Sequence, residues 1–311
     1  MTAPLPTQIR PTVLDVPACA LGESPRWAHD AWWWVDAEAG VVWTAPASVV
    51  AGAVDGVAGT GPGAREVLRS GDRLSLVHPA TEGALVVARG TELLVVDPAT
   101  SRTRPWARID VPPGWLLNDG IADAAGRLWI GSVHPGRAPG TGRLHVVHLD
   151  GTVAQVADGL TLSNGMAWRS PSRLLHADSL ERCVWEYEVD PASATVLHTE
   201  RALQLPDEPM GGPALPDGLA IDRGGGLWVA MYGTGEVRRW SHGRVSEVIV
   251  VPTAQVTSVA LGGPDGRDLL ITTAQEGLSD DELLAAPWAG RVFGARATIP
   301  GVSVPAAAPR A

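Results

Sequence analysis

One short figure returns six times along this chain, and it limits the folds open to it. In its clearest copy Asp217-Gly218-Leu219-Ala220 is followed by a glycine-rich turn and Leu227-Trp228-Val229. Asn164-Gly165-Met166-Ala167 precedes Leu174-Leu175-His176, and Asp119-Gly120-Ile121-Ala122 precedes Leu128-Trp129-Ile130. Fainter copies are Thr257-Ser258-Val259-Ala260 before Leu269-Leu270-Ile271 and Leu74-Ser75-Leu76-Val77 before Leu85-Val86-Val87. The first copy, Glu23-Ser24-Pro25-Arg26 before Trp32-Trp33-Trp34, is degenerate. Intervals of roughly 40 to 53 residues signal a repeat architecture rather than a string of domains.

Around these copies lie short alternating stretches separated by Gly and Pro turns. Pro11 to Val16 reads as a strand, and Trp32 to Asp36 with Val41 to Thr44 as a hairpin. Further hairpins are Ala84 to Arg89 with Glu92 to Asp97, Leu128 to Val133 with Arg143 to Leu149, and Leu174 to Asp178 with Val184 to Val189. Leu227 to Tyr232 with Glu236 to Trp240, and Leu269 to Thr273 with Arg291 to Ala295, complete the series. Helix is scarce; Ser279 to Ala286 offers a turn or two. Val49 to Gly63 is Gly/Ala-rich and reads as a surface excursion. This pattern predicts an all-β fold: a six-bladed β-propeller of four-stranded antiparallel blades, one domain spanning 1–311 with the propeller at about 11–300. The strand around Val13 should complete the last blade and close the ring. A two-sheet sandwich explains the strands but not the sixfold phase. Met1 to Arg10 and Pro305 to Ala311 are expected to fray. Trp33, Trp129 and Trp228 share a phase that suits packing between blades.

Charge and composition exclude several functions. The net charge of −10 argues against nucleic acid or an anionic membrane as partner. All 24 basic residues are arginine, so no lysine is available for Schiff-base or P-loop chemistry. Cys19 and Cys183 are too few for a disulfide framework or a thiolate metal site. Both read as structural thiols, with a disulfide between them left open. No signal peptide is readable at the N-terminus and no apolar run reaches spanning length. The expectation is a cytoplasmic monomer or small homo-oligomer acting on a small molecule.

The innermost strand of each propeller blade lines the central channel, so residues at one repeat phase meet in space. The first positions of the six copies are Glu23, Leu74, Asp119, Asn164, Asp217 and Thr257. Carboxylates and amide carbonyls clustered at one end of a channel suit one divalent cation: Ca²⁺, Mg²⁺ or Mn²⁺. Zn²⁺ is a weaker fit, because no His or Cys shares the phase. Alone, Asp-Gly or Asn-Gly is an ordinary turn; the joint phase is what makes a site. Asp97, Asp178 and Asp222 lie elsewhere in their repeats and read as caps. His78, His145, His148 and His176 share no phase and read as structural, and no Gly-x-Ser-x-Gly elbow is present. Trp115 lies outside the tryptophan phase, close to Asp119, and His134 stands at the base of a long Gly/Pro-rich loop; both are pocket candidates.

Gly22-Glu23-Ser24-Pro25-Arg26-Trp27, Asn118-Asp119-Gly120 with Gly126-Arg127-Leu128-Trp129, Ser163-Asn164-Gly165-Met166-Ala167-Trp168 and Pro216-Asp217-Gly218-Leu219-Ala220-Ile221-Asp222 together resemble the regucalcin (SMP-30)/gluconolactonase family, as does Thr257-Ser258-Val259-Ala260-Leu261-Gly262-Gly263. The resemblance runs in order from about residue 13 to residue 300. It implies a six-bladed propeller with one divalent metal, and in many members hydrolysis of sugar lactones. It further implies metal ligation by Glu23, Asn164 and Asp217 and substrate contact by Asn118, with calcium the favoured ion. Sugar-lactonase members typically carry Arg two residues before that Asn, where this chain has Leu116. They also carry a Glu in the loop after the next strand, where Val133 to Arg137 holds no acid. With Trp115 and Leu116 offering apolar surface, the expected substrate is a lactone or cyclic ester less polar than a sugar lactone. In that reading Asp217 acts as base, Asn118 orients substrate, and Asp119 is charged and hydrogen-bonded behind the metal, provided a turn or bulge lets Asn118 and Asp119 both face inward. Two other readings stand beside it: Lewis-acid-assisted cyclisation, isomerisation or elimination of an apolar metabolite, and a non-catalytic metal or ligand binder.

Overall fold

The computed structural model describes residues 5–54, 63–205 and 214–310. Their strands form six antiparallel sheets. The inner strands are Gly22–Ala28, Leu74–Pro79, Leu116–Ala122, Ser163–Ser170, Leu215–Ile221 and Val256–Gly262, one to each of blades 1 to 6. Each touches the next around a ring, and the sixth touches the first. This is the six-bladed propeller that the repeat predicts. Among the described residues no helix is long and apolar enough to cross a membrane.

The apolar runs of the inner and second strands, buried on both faces, become packing between blades. Six buried apolar clusters each join two neighbouring blades, one at every junction. Trp129 and Trp228 are buried in two of them, but their ladder equivalent in blade 1 is Trp32, not Trp33. Ile121 pairs with Trp129, Ala220 with Trp228 and Trp27 with Trp32, whereas Trp33 pairs one step along with Arg26. Cys19 and Cys183 are buried free thiols.

The ring closes as expected. Thr12–Val13 pairs antiparallel with Phe293–Arg296, so the start of the chain supplies the outer strand of blade 6. Leu14 and Val16 follow it into the junction with blade 1. The expected fraying at the ends is corrected on both sides. Thr7–Ile9 adds a parallel fifth strand to blade 5 against Glu247, Val248 and Ile249. At the other end, residues 301–310 cross the face of the ring where the inner strands finish. Val302 N donates to Ile221 O at 3.0 Å, Ala307 N to Pro79 O at 2.9 Å and Ala308 N to Gly126 O at 2.8 Å. Ala307 is fully buried; its small side chain lets the backbone come close enough to bond with blades 2 and 3. The Gly/Ala-rich excursion opens with a short helix, α1 (Ser48–Val54), whose Val50 is buried. Residues 55–62 of it lie outside those described. The turn expected near Ser279 is α2 (Asp280–Ala285), started by a Ser279/Glu282 capping box.

Candidate functional site

Every inner strand breaks register with its neighbour near its start. In blades 3, 4 and 5 the shifts fall between Leu117 and Gly120, Ser163 and Met166, and Pro216 and Leu219. A bulge leaves residues out of the ladder and re-aims their side chains. The first residue of each bulge is Asn118, Asn164 or Asp217, and the second is Asp119, Gly165 or Gly218. The phase read from the Asp-Gly and Asn-Gly dipeptides therefore needs correcting by one step: Asn118, not Asp119, stands level with Asn164 and Asp217. In blade 1 the break lies between Glu23 and Arg26, and Ser24 takes a left-handed φ of 54°. Glu23 thereby reaches the same channel from one ladder position earlier.

These side chains line one cavity of about 180 Å³ at the channel mouth, with Glu23, Asn118, Asn164 and Asp217 in its wall. At about 30 Å³ per water it holds roughly six waters, or one small ring. A hydrogen-bonded arc fixes the amides. Asn118 Nδ2 donates to Ser163 O at 2.8 Å and Asn164 Oδ1 at 3.1 Å; Asn164 Nδ2 donates to Ser179 Oγ at 3.1 Å; Ser179 Oγ donates to Pro216 O at 2.7 Å. With its Nδ2 engaged, Asn164 presents its oxygen to the cavity.

The carboxylates lack such compensation. Burial pushes the Glu23 carboxyl up to about 8, with Asp119 and Glu276 adding to the rise; the Ser24 N–H and Arg73 oppose it. Asp217 is raised well above the carboxylate range by burial first, then by Glu23, Asp119 and Glu276, while Arg137 opposes. Asp217 Oδ1 is buried without a hydrogen-bond partner. Two mutually repelling buried carboxylates, one with an orphaned oxygen, beside an oriented amide oxygen form a hard-oxygen donor set that fits a divalent cation. Among the described residues no group of three or more His, Cys, Asp and Glu could hold a metal. The set at the mouth instead completes two carboxylates with an amide oxygen.

The other candidate residues divide. Leu116, at 37% exposure, and His134 line the cavity. Trp115 does not; it lies behind His134, whose ring it meets edge-on at 5.6 Å, with the Arg143 guanidinium 4.9 Å over its own ring. Asp119 is also off the wall. Its Oδ1 accepts from Arg26 Nη2 at 2.9 Å and from Gly120 N at 2.8 Å, and both side chains of the ion pair are about 6% exposed. Removing one partner of such a buried pair strands the other's charge, at a cost of roughly 3–5 kcal/mol. Asp119→Asn should lose about that much stability in denaturant titration and some catalytic rate, with metal content unchanged. Asp217→Asn should lose metal.

Of the four histidines read as structural, His78, His145 and His176 are buried and hydrogen-bonded within the blades. His176 Nε2 meets Ser163 Oγ at 2.8 Å and His145 Nε2 meets Ser132 Oγ at 2.9 Å. His78 Nε2 accepts from Ala122 N at 3.1 Å. Burial holds His78 and His176 at about 3 and His145 at about 4, so all three are neutral. Asp178 caps Thr161 N and Leu162 N, and Asp97 caps Ala99 N. Asp222 holds Gly224 N and Gly226 N and pairs with Arg239.

Five polar lining residues escape the repeat reading: Arg73, Arg137, Ser179, Tyr232 and Glu276. Four come from turns and loops, which carry no period; Tyr232, one of only two tyrosines, ends a predicted strand. Arg73, Arg137 and Glu276 bring charge to a wall whose apolar side includes Leu116, Val133 and Leu215.

A six-bladed propeller with a cluster of oxygen donors at its channel mouth defines the class of protein. Residues 21–275 match the SMP-30/Gluconolactonase/LRE-like region, and the chain belongs to that family. It is 33% identical over 273 residues to a pentonolactonase, XacC, of Haloferax volcanii, covering 83% of this chain and 82% of the relative. It is 30% identical over 222 residues to regucalcin of Danio rerio, covering 70% and 74%. Among solved structures, a calcium-binding protein, regucalcin, of Agrobacterium tumefaciens superposes with a TM-score of 0.84 over 97% of this chain and 99% of that one. At 23% identity, that likeness speaks for the fold.

Proposed function

We propose that this protein is a metal-dependent hydrolase of a lactone or related cyclic ester that carries fewer hydroxyls than a sugar lactone. The observation behind this reading is the meeting of Glu23, Asn164 and Asp217 in one small cavity, with Asp217 Oδ1 lacking a partner. These three residues would hold one divalent cation, with calcium favoured. When bound, the cation supplies a Lewis acid for the ester carbonyl and charge for the oxyanion. The family's named lactonases, the pentonolactonase among them, support the reaction class.

The chain's own residues supply the rest. Asn118, held by Ser163 O and Asn164 Oδ1, fixes the ring on the blade 3 side. Asp217 takes a proton from water as its oxygen attacks the acyl carbon. The ring C–O bond breaks, and that proton passes to the departing alkoxide. Leu116 replaces a hydroxyl-binding guanidinium with apolar surface, so this part of the wall gains little from a polyol.

The test is a screen of lactones of graded hydroxylation with and without chelator. Turnover should stop with chelator, and glucono-lactone should fall below a kcat/KM on the order of 10⁴ M⁻¹s⁻¹. Chelator-resistant hydrolysis would remove the metal from the reading. Glucono-lactone as the preferred substrate would remove the claim about hydroxyls.

A further inference from the structure

We propose that Arg73 and Arg137 form an oxyanion-recognition pair at this cavity, so that the substrate is a lactone bearing a carboxylate. The inference rests on the lactonase reading above and names its substrate class. Both arginines line the same cavity as the donor cluster, from neighbouring blades: Arg73 enters just before the inner strand of blade 2, and Arg137 from the loop of blade 3.

Neither guanidinium is used up by the structure. Among the described residues the Arg137 side chain makes no hydrogen bond or ion pair. Arg73 Nη1 pairs with Glu38, which lies outside the cavity lining, while Arg73 Nε is buried with no partner. A buried orphaned donor is unfavourable unless a ligand completes it. Neutralising the acids nearby is the competing role, yet among the described residues neither arginine forms an ion pair with Glu23, Asp217 or Glu276. With a divalent cation offsetting two of those three carboxylates and Arg73 already paired with Glu38, the two guanidinium groups leave the wall close to neutral, so an anionic ligand meets no net repulsion there.

A planar fork of N–H donors matches a carboxylate in two parallel bonds. The cavity of about 180 Å³ favours the smallest oxyanion beside the ring. Leu116, in the same wall, offers apolar surface to the carbon skeleton. The site thus exchanges a hydroxyl contact at Leu116 for a charged contact at the two arginines.

The experiment compares 5-oxotetrahydrofuran-3-carboxylate with its carboxamide, alike in ring and size and different in charge. Calcium-loaded wild type should favour the carboxylate by at least about tenfold in kcat/KM. In Arg73→Gln and in Arg137→Gln, the loss on the carboxylate should exceed the loss on the amide by about tenfold. Calorimetric binding of the two ring-opened products should show the same ranking without turnover. Hydrolysis of both lactones with no charge preference overturns the inference and leaves the lactonase reading standing. Failure to hydrolyse either, with carboxylate-selective binding lost in the arginine variants, sinks the lactonase reading and keeps the oxyanion pair. Equal losses on both probes assign the arginines a structural role and overturn the inference. Arg137 is exposed on its loop, so its variant is expected to fold and the comparison stands even where Arg73→Gln does not.

Discussion

The double variant Glu23→Gln/Asp217→Asn should melt higher than wild type in chelator, stop responding to calcium, and lose activity by on the order of 10³-fold or more. The three effects share one cause. Without a cation, the two carboxylates are buried against each other and against Glu276, and Asp217 Oδ1 has no donor. Gln and Asn keep the shape and remove the repulsion, so the cation-free ring gains stability. The same change removes the hard anionic donors. A cation at a hundredfold excess over its Kd stabilises wild type by about 2.7 kcal/mol, and the variant by nothing. Differential scanning calorimetry with and without calcium, beside elemental analysis, reads all of this. Undiminished metal in the variant, or a lower melting temperature in chelator, would contradict the donor set.

Deleting residues 1–16 should cost roughly 5 kcal/mol or more, enough to leave most of the chain unfolded or aggregated at 37 °C. The truncation removes Thr12–Val13 from blade 6 and takes buried Leu14 and Val16 out of the junction with blade 1. Two large buried apolar side chains are together worth several kcal/mol, before the exposed edge of Phe293–Arg296 is counted. Deleting only residues 1–10 removes the parallel strand Thr7–Ile9, whose burial is slight, and should cost about 1 kcal/mol. Urea titrations of the two truncations separate ring closure from mere strand addition. Equal losses would mean that the outer strand of blade 6 does not close the ring.

The fold was legible because its period survives in the composition of every blade. Strand pairs such as Leu227–Tyr232 with Glu236–Ser241 show a short apolar run and its partner joined across a Gly turn, and Val13 falls where the last blade lacks a strand. The site was legible only to within one residue. Alignment on Asp-Gly put Asp119 beside Asp217, and alignment on the triple tryptophan put Trp33 beside Trp129. The first error arises because a bulge adds a residue to the count without adding a rung to the ladder; the second arises because three consecutive tryptophans leave the phase of the strand unmarked. Asp119 then turns to Arg26, a partner 93 positions away that no local pattern announces. The C-terminal residues looked loose because Pro, Ala and Gly carry little apolar surface. They are held through backbone hydrogen bonds, which leave no trace in side-chain identity. The arginines that line the cavity come from connecting segments, where neither alternation nor period exists to be read.

The glycines beside the donor residues link each blade's geometry to the next. A Cβ on Gly165 would run into the carbonyl of Asp217, and one on Gly218 into the side chain of Ser258. Widening the first contact shifts the backbone of the donor Asp217, and widening the second pushes Gly218, its neighbour, against blade 6, so blades 4, 5 and 6 are coupled at this level. Arg137 lies exposed on its loop, and Glu276 is tied to Ala20 and Gln255 through its backbone, which leaves its side chain free to vary. Mutational tolerance should therefore rise steeply from hub to rim within a few ångströms. A library confined to residues 134–138 and 275–279 would explore new selectivities on an intact reaction centre, whereas one that includes 165 or 218 would mostly return inactive proteins.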